Sequence, residues 1–423
     1  MNRLHFLPFL ILGSASLHAQ IPTFKLRHGT SSNDEARYVT VLADNSFIVA
    51  GNSAGGGLGG TDAMLVKFSA TGTVEWSQAY GGSGNDFFNY ILPCADGSYL
   101  ALGETNSFGA GGVDIYVVKF DVNGGVIWER TCGGSGAETG RGISETSDGY
   151  IVSGGTQSFG GGFWNVFVEK LDFSGNSQWT KAWGAGGGDM AGFTFPAANG
   201  DIWVTGFWFV GGNNHDAILF RLNANGDLQN AVRAAAPFND NAMYFTPGGA
   251  GMTASGGSWS IFNGGLISPW MISYNTSGGL VWAKGYQVPG GNSEALIETC
   301  PDGGFVFAPT HVSADVSQAS LVKTNASGNV TWSKSYPYQG NGRMFHAQPC
   351  PDGGYVAVGY SSGAARDMFI LKTDAGGNLE DCCPTDAGVV AVAITPTTPT
   401  LSPDGATGPA ALAGNGQNGT VSL

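Results

Sequence analysis

The sequence predicts an all-β fold: a seven-bladed β-propeller of four-stranded antiparallel blades, closed by its own N-terminal strand. Three observations carry this prediction. First, a Gly-containing turn followed by an aromatic or Leu landmark recurs at Trp76, Trp128, Trp179, Leu228, Trp282, Trp332 and Leu379. Second, a second turn precedes each of these in most copies: Asp96-Gly97, Asp148-Gly149, Asn199-Gly200, Asp302-Gly303 and Asp352-Gly353, with Asp44-Asn45 in the first. Two hairpins per unit of roughly fifty residues is the signature of a propeller blade. Third, Phe24 to Gly29 matches Trp76 to Gly81 but has no inner strands ahead of it, while the last unit has a weak outer strand at Asn378 to Asp381. The leading segment can therefore complete the last blade. Closure removes exposed sheet edges that would otherwise pair with other chains. Eight blades is the runner-up count.

The clearest hairpin is Val113 to Arg130, VDIYVVKFDVNGGVIWER. Apolar residues alternate on its strands, and Asn123-Gly124 between two β-rich runs predicts a turn with both central residues at positive φ. The landmark Trp is expected on the outermost strand, packed between blades, because one four-stranded blade cannot bury both faces alone. Blades are expected at about 33–80, 85–132, 137–183, 189–232, 240–286, 292–336 and 341–382, the fifth being the most divergent.

The chain has 423 residues, of which 70 are Gly and 12% are charged. High Gly with few charges suits a turn-dense β protein. The net charge of −14 argues against nucleic acid and against anionic membrane surfaces, both of which call for clustered Lys and Arg. Residues 1–19 read as an export signal: Arg3 supplies the positive start, Phe6 to Leu12 a short apolar core, and Leu17-His18-Ala19 a cleavage site. No later run is apolar for about 18 residues, so no membrane span is expected. The expected domains are the signal at 1–19, the propeller at 20–384 and a flexible Pro/Thr/Gly-rich tail at 385–423. The protein is expected to be secreted or at the cell surface, and monomeric.

Cys94, Cys300 and Cys350 share one repeat position and read as small buried apolar residues. Cys382-Cys383 is a vicinal pair, open to a strained bridge within itself or to a bridge elsewhere near the ring closure. The six His share no metal spacing. No GxSxG, HExxH, P-loop or CxxC motif is present.

Two polar series repeat. Asp34, Asp86, Glu138, Asp189, Asp240 and Glu294 begin the innermost strands, with Arg343 in the seventh place. A functional role would be an acidic axial mouth holding Ca²⁺. The competing role is to accept hydrogen bonds from backbone N–H groups of the adjoining loops. Repetition in every blade favours the second. The other series, Asp62, Asp114, Asn165, Asp216 and Asp367, begins third strands, each followed five residues later by Lys or Arg. These bases point to the opposite face and are expected to serve as turn caps and blade-edge contacts.

Gly81 to Asp86 (GGSGND), Thr146 to Gly162 (TSDGYIVSGGTQSFGGG) and Lys119 to Trp128 (KFDVNGGVIW) resemble the propeller repeats of bacterial secreted and cell-surface proteins. The likeness covers about Phe24 to Cys382. It implies fold, export and a scaffold or binding role. Such relatives often continue into a C-terminal sorting or adhesion module, which this chain does not show. SATGTVEW also resembles the repeat of quinoprotein dehydrogenases, but Cys382-Cys383 follows the last blade instead of lying over the axis, and blade count and length fall short.

The reading is a non-enzymatic exported scaffold that binds a glycan or protein partner through irregular loops. FWFVGGNN (Phe207 to Asn214) and SWSIFNGGLISPW (Ser258 to Trp270) break the repeat, so Trp208, Trp259 and Trp270 are the candidate ligand-stacking residues. Interblade packing is the competing role for each. The rival function is a polysaccharide-active enzyme, a glycoside hydrolase or lyase using two of the axial carboxylates.

Overall fold

Alternating apolar residues and glycine-bearing turns fold each repeat into two linked hairpins. The computed structural model describes residues 21–160, 163–184, 186–197, 199–211, 214–234, 240–248, 251–258, 268–275, 279–289, 296–312, 317–336, 342–380, 384–393 and 400–401. Its strands form seven antiparallel sheets in chain order, one per repeat, so the chain is a seven-bladed β-propeller. Blade one is Asp34–Val41, Phe47–Ser53, Asp62–Phe68 and Val74–Tyr80, and blades two to five follow the same four-strand order. Blade six has shorter inner strands, Ile297–Thr299 and Phe305–Phe307.

The ring closes as expected. Phe24–His28 pairs antiparallel with Arg366–Thr373, from Phe24 opposite Lys372 to His28 opposite Met368. It becomes the outermost strand of blade seven, whose inner strands are Gly342–Pro349 and Tyr355–Ser362.

The landmark Trp residues join neighbouring blades. Trp76 Nε1 donates to Val122 O (3.1 Å), Trp128 Nε1 to Phe173 O (3.2 Å) and Trp179 Nε1 to Ala224 O (3.2 Å). Each of these carbonyls belongs to the outer turn of the following blade. The indole of Trp128 lies on Gly175, whose φ of 82° and tight contact with the ring both disfavour a side chain there. In blade one that turn glycine, Gly72, is met by Phe24 and Leu26 of the closing strand. Phe24 thus does for blade seven what Trp does elsewhere.

The turn in Val113 to Arg130 differs from the expected form. Gly124 has φ 83°, and Asn123 is not at positive φ. Gly124 N donates to Asp121 O (3.0 Å) and Asp121 N to Gly125 O (2.9 Å). Asp121 Oδ1 also accepts from Asn123 N (2.8 Å) and Gly125 N (2.9 Å). This is a type I turn with a left-handed glycine and a bulge. The Asp121 carboxylate favours it over the mirror-image turn.

The third-strand bases are not edge contacts alone. Each reaches back to the turn Asp of its own blade: Lys119 to Asp96 (2.7 Å), Lys170 to Asp148, Arg221 to Asp201 (2.5 Å), Lys323 to Asp302 (2.7 Å) and Lys372 to Asp352 (2.8 Å). In blade one, where the turn is Asp44-Asn45, Lys67 pairs with Glu75 instead (3.0 Å).

Cys94, Cys132, Cys300 and Cys350 are free and buried. Burial pushes the Cys94 thiol up to about 11, so it is an apolar filler, not a nucleophile. Cys382-Cys383 lies outside the described residues. The segment read as a flexible tail contributes further strands. Thr385–Asp386 pairs with the outer strand of blade six, Val390–Ala393 with that of blade five, and Thr400–Leu401 with that of blade four. These short strands run backwards around the rim because each blade's outer edge offers unpaired backbone groups. Among the described residues no helix is long and apolar enough to cross a membrane.

Candidate functional site

The up-and-down strands give the ring two unlike ends. At one end, tight turns join the first strand to the second and the third to the fourth, closed by repeated bonds such as Cys94 N to Ser98 O (2.9 Å) and Asp172 N to Asn176 O (2.8 Å). At the other end lie the blade-to-blade links and the connections between second and third strands, which vary in length and sequence. We call this the connection face.

Four of the strand-start acids, Asp34, Asp86, Glu138 and Asp189, lie at this end, each buried in its own blade. All four are at most 1% exposed. Each accepts hydrogen bonds from loops of its own blade or the link before it. Asp34 accepts from Thr30 N (2.5 Å), and Asp86 from Gly82 N (2.9 Å), Ser107 Oγ (2.8 Å) and Thr105 Oγ1. Glu138 accepts from Gly134 N (2.9 Å) and Thr156 Oγ1 (2.6 Å), and Asp189 from Phe209 N (2.6 Å). Asp240 begins the innermost strand of blade five, and Glu294 lies outside the described residues. Buried in separate blades, the four do not frame a shared cleft of the kind two-carboxylate glycosidases use. Among the described residues, no three His, Cys, Asp or Glu gather as a metal donor set.

Asp34, Glu138 and Asp189 each share a glycine neighbour with the third-strand acid or amide of the preceding blade. A Cβ at Gly133 would collide with both Glu138 and Asp114, and one at Gly29 would meet both Asp34 and Asp367. Burial, with a smaller push from Glu138, raises Asp114 to about 6, although the N–H of Gly111 partly offsets it.

The candidate tryptophans are placed differently from one another. Trp270 is 3% exposed in the interblade core with Trp203 and Leu219, so its faces are filled by protein. It packs instead of stacking on a ligand, because its strand turns it towards the neighbouring blade. Trp208 is partly buried against Phe220, edge to face at 5.8 Å. Trp259 lies outside the described residues.

The centre of the ring is crossed by side chains from the innermost strands. Tyr38 stacks on His346 (3.7 Å between centroids, 12°) and meets Tyr90 (4.5 Å). Tyr90 meets Phe193 of blade four (4.8 Å), which meets Tyr244 of blade five (5.1 Å). Blade three offers Gly142 here, and a Cβ there would strike the backbone of Phe193. Tyr38 Oη donates to Glu298 Oε1 (2.7 Å). Val39 N–H points at His346 Nδ1 (3.3 Å), which leaves Nε2 to donate to the same Glu298 oxygen (3.0 Å). Burial, together with the Glu298 charge, holds the Tyr38 phenol well above its ordinary range. This is a satisfied aromatic floor with one carboxylate at its edge.

Beside that floor, where blade seven meets blade one, lies a cluster that no repeat predicts. Arg37 precedes Tyr38, and Phe345 precedes His346. The Arg37 guanidinium sits over the Phe345 ring (4.4 Å), the Arg343 guanidinium over the same ring (4.9 Å) and that of Arg366 over Tyr360 (4.7 Å). The buried Glu35 carboxylate bridges Arg37 (2.5 Å) and Arg366. Arg343 and Arg366 are exposed, and Arg37 is half-buried. Sequence reasoning saw Arg343 only as an exception to the acidic series and missed the others. The one available signal was the break in repetition.

No family model matches the chain, and no curated protein matches it. Solved structures do. They include a protein of unknown function from Dyadobacter fermentans (11% identity, TM-score 0.48, covering 82% of this chain and 97% of that one). The β-propeller domain of the Trilobed protease from Pyrococcus furiosus is similar too (9%, 0.46, 82% and 97%). So is the polysaccharide lyase Uly1 (10%, 0.48, 80% and 90%). At these values the likeness is one of architecture and carries no argument about ligand or chemistry.

Proposed function

We propose that this protein is an exported, non-enzymatic β-propeller that binds a glycan or protein partner on its connection face, secreted or at the cell surface. One observation carries the reading. The turn face repeats blade after blade, whereas the connection face breaks the repeat and brings guanidinium and aromatic groups together at Arg37, Arg343, Phe345, Tyr360 and Arg366, of which Arg343 and Arg366 are exposed. Repeated features serve the ring, and a departure from them on an exposed face needs another cause. Export rests on residues 1–19 and on the resemblance to bacterial surface repeats.

The test is a glycan array, followed by titration of each hit with and without calcium, using the full chain. Binding that is lost on Arg343→Ala and kept on Ile127→Ser, a change on an outer strand, supports the reading. An array without hits, or hits that Ile127→Ser abolishes and Arg343→Ala does not, rejects it. N-terminal mass spectrometry of secreted protein is expected to begin at Gln20.

A further inference from the structure

The junction of blades seven and one holds more positive charge than its own carboxylate balances. Three of the nine arginines of the chain meet there, in a molecule with 18 basic and 32 acidic residues. Glu35 answers for one of the three charges. The nearby Arg27 is paired with Asp367 and adds no excess. Among the described residues Arg343 has no carboxylate partner, and its guanidinium rests on Phe345.

The way these groups are held says what they can bind. A guanidinium resting on an aromatic ring keeps its N–H edge for other partners; Arg37 and Arg366 give part of theirs to Glu35, and Arg343 gives its edge to no carboxylate among the described residues. That edge is a fork matched to two oxygens of one carboxylate. Arg37 and Arg343 both lie over the Phe345 ring, at 4.4 and 4.9 Å from its centroid, so two like charges share one aromatic support and an anion bound at the exposed Arg343 meets a locally positive surface.

The overall charge narrows the class. A net charge of −14 opposes the approach of a dense polyanion or an acidic peptide run, since no long-range attraction assists it. The ligand suited to this site brings isolated carboxylates among neutral hydroxyl groups. We propose that the Arg37–Arg343–Arg366 cluster takes the carboxylate of a uronic acid residue within a glycan. This deepens the connection-face reading and rests on it.

The experiment is calorimetric titration of the full chain with oligosaccharides that carry a single glucuronic or galacturonic acid residue among neutral sugars, and with their carboxyl-reduced, neutral counterparts. An oligo-glutamate peptide serves as a third probe. The uronate oligosaccharide is expected to bind at least tenfold more tightly than its neutral counterpart, and added salt to weaken it. Arg343→Ala is expected to lose about tenfold with an unchanged melting temperature, because the side chain is exposed. Arg343→Lys, which keeps charge but not the fork, is expected to fall between. Equal binding of the neutral sugar, preferential binding of oligo-glutamate, or an unaffected Arg343→Ala variant overturns the proposal. If uronates fail while the array yields another ligand lost on Arg343→Ala, the ligand class falls and the connection-face reading stands. If the array yields nothing, both fall.

Discussion

The pairing of Lys372 with Asp352 permits an asymmetric prediction. The Lys372 side chain is fully buried, and its Nζ donates to both Asp352 oxygens, at 2.9 and 2.8 Å. The Asp352 side chain is 15% exposed and also accepts from Gly354 N (2.9 Å). Asp352→Ala strands an ammonium ion in the interior, a change that costs about 3–5 kcal/mol. Lys372→Met fills nearly the same space with an apolar chain and leaves a carboxylate that water can reach and Gly354 still engages. Its cost is expected to be about 1 kcal/mol or less. The double variant is expected to match Lys372→Met, so the coupling equals the full Asp352→Ala cost, about 3–5 kcal/mol. Denaturant unfolding followed by Trp fluorescence measures all three. A Lys372→Met cost as large as that of Asp352→Ala, or additive costs in the double variant, would refute the assignment of this pair as a buried cation held by a semi-exposed anion.

Two further predictions concern blade junctions. Asp114 is raised to about 6, chiefly by burial, so in the folded state it holds a proton more readily than when unfolded. Stability should therefore fall as pH rises from about 4 through about 6, and the loss should persist above that. Asp114→Asn should raise the melting temperature at pH 7.5 and leave it unchanged at pH 4; blade three already carries Asn165 in this place, donating to Phe159 O (2.9 Å). Equal effects at both pH values would count against a charge origin. Asn45 has φ 64°, and its Oδ1 accepts from Asp352 N (2.9 Å) across the ring closure. Asn45→Ala should cost about 1–2 kcal/mol in the same unfolding assay, and Asn45→Gly less, since only the hydrogen bond is then lost. An Asn45→Gly cost above that of Asn45→Ala would show that the backbone conformation is not the issue.

The architecture was legible because a propeller is a local pattern repeated. Trp128 and Asp96-Gly97 each report a hairpin within a few residues, and their copies report the count. Phe24 could be aligned with Trp76 for the same reason. The candidate site was not legible, because it is made of departures from the pattern. Arg37 and Arg343 stand about three hundred residues apart, and the ring closure alone makes them neighbours. Lys119 and Asp96 belonged to two series that the sequence lists separately; the pairing of the second strand with the third joins them. Trp270 stood out for its composition, but the periodicity of its strand, which turns it into the interblade core, was obscured by the divergent fifth repeat.

Everything at the junction of blades seven and one depends on Phe24–His28 completing the last sheet. Hydrogen–deuterium exchange of the native protein reads this directly from the backbone amides of that segment. The account predicts protection of Leu26 and its paired neighbours close to that of Met368 to Leu371 on the partner strand. Exchange of Phe24–His28 at the rate of an unstructured peptide, with Met368 to Leu371 still protected, would contradict the closed ring and with it the cluster that closure assembles.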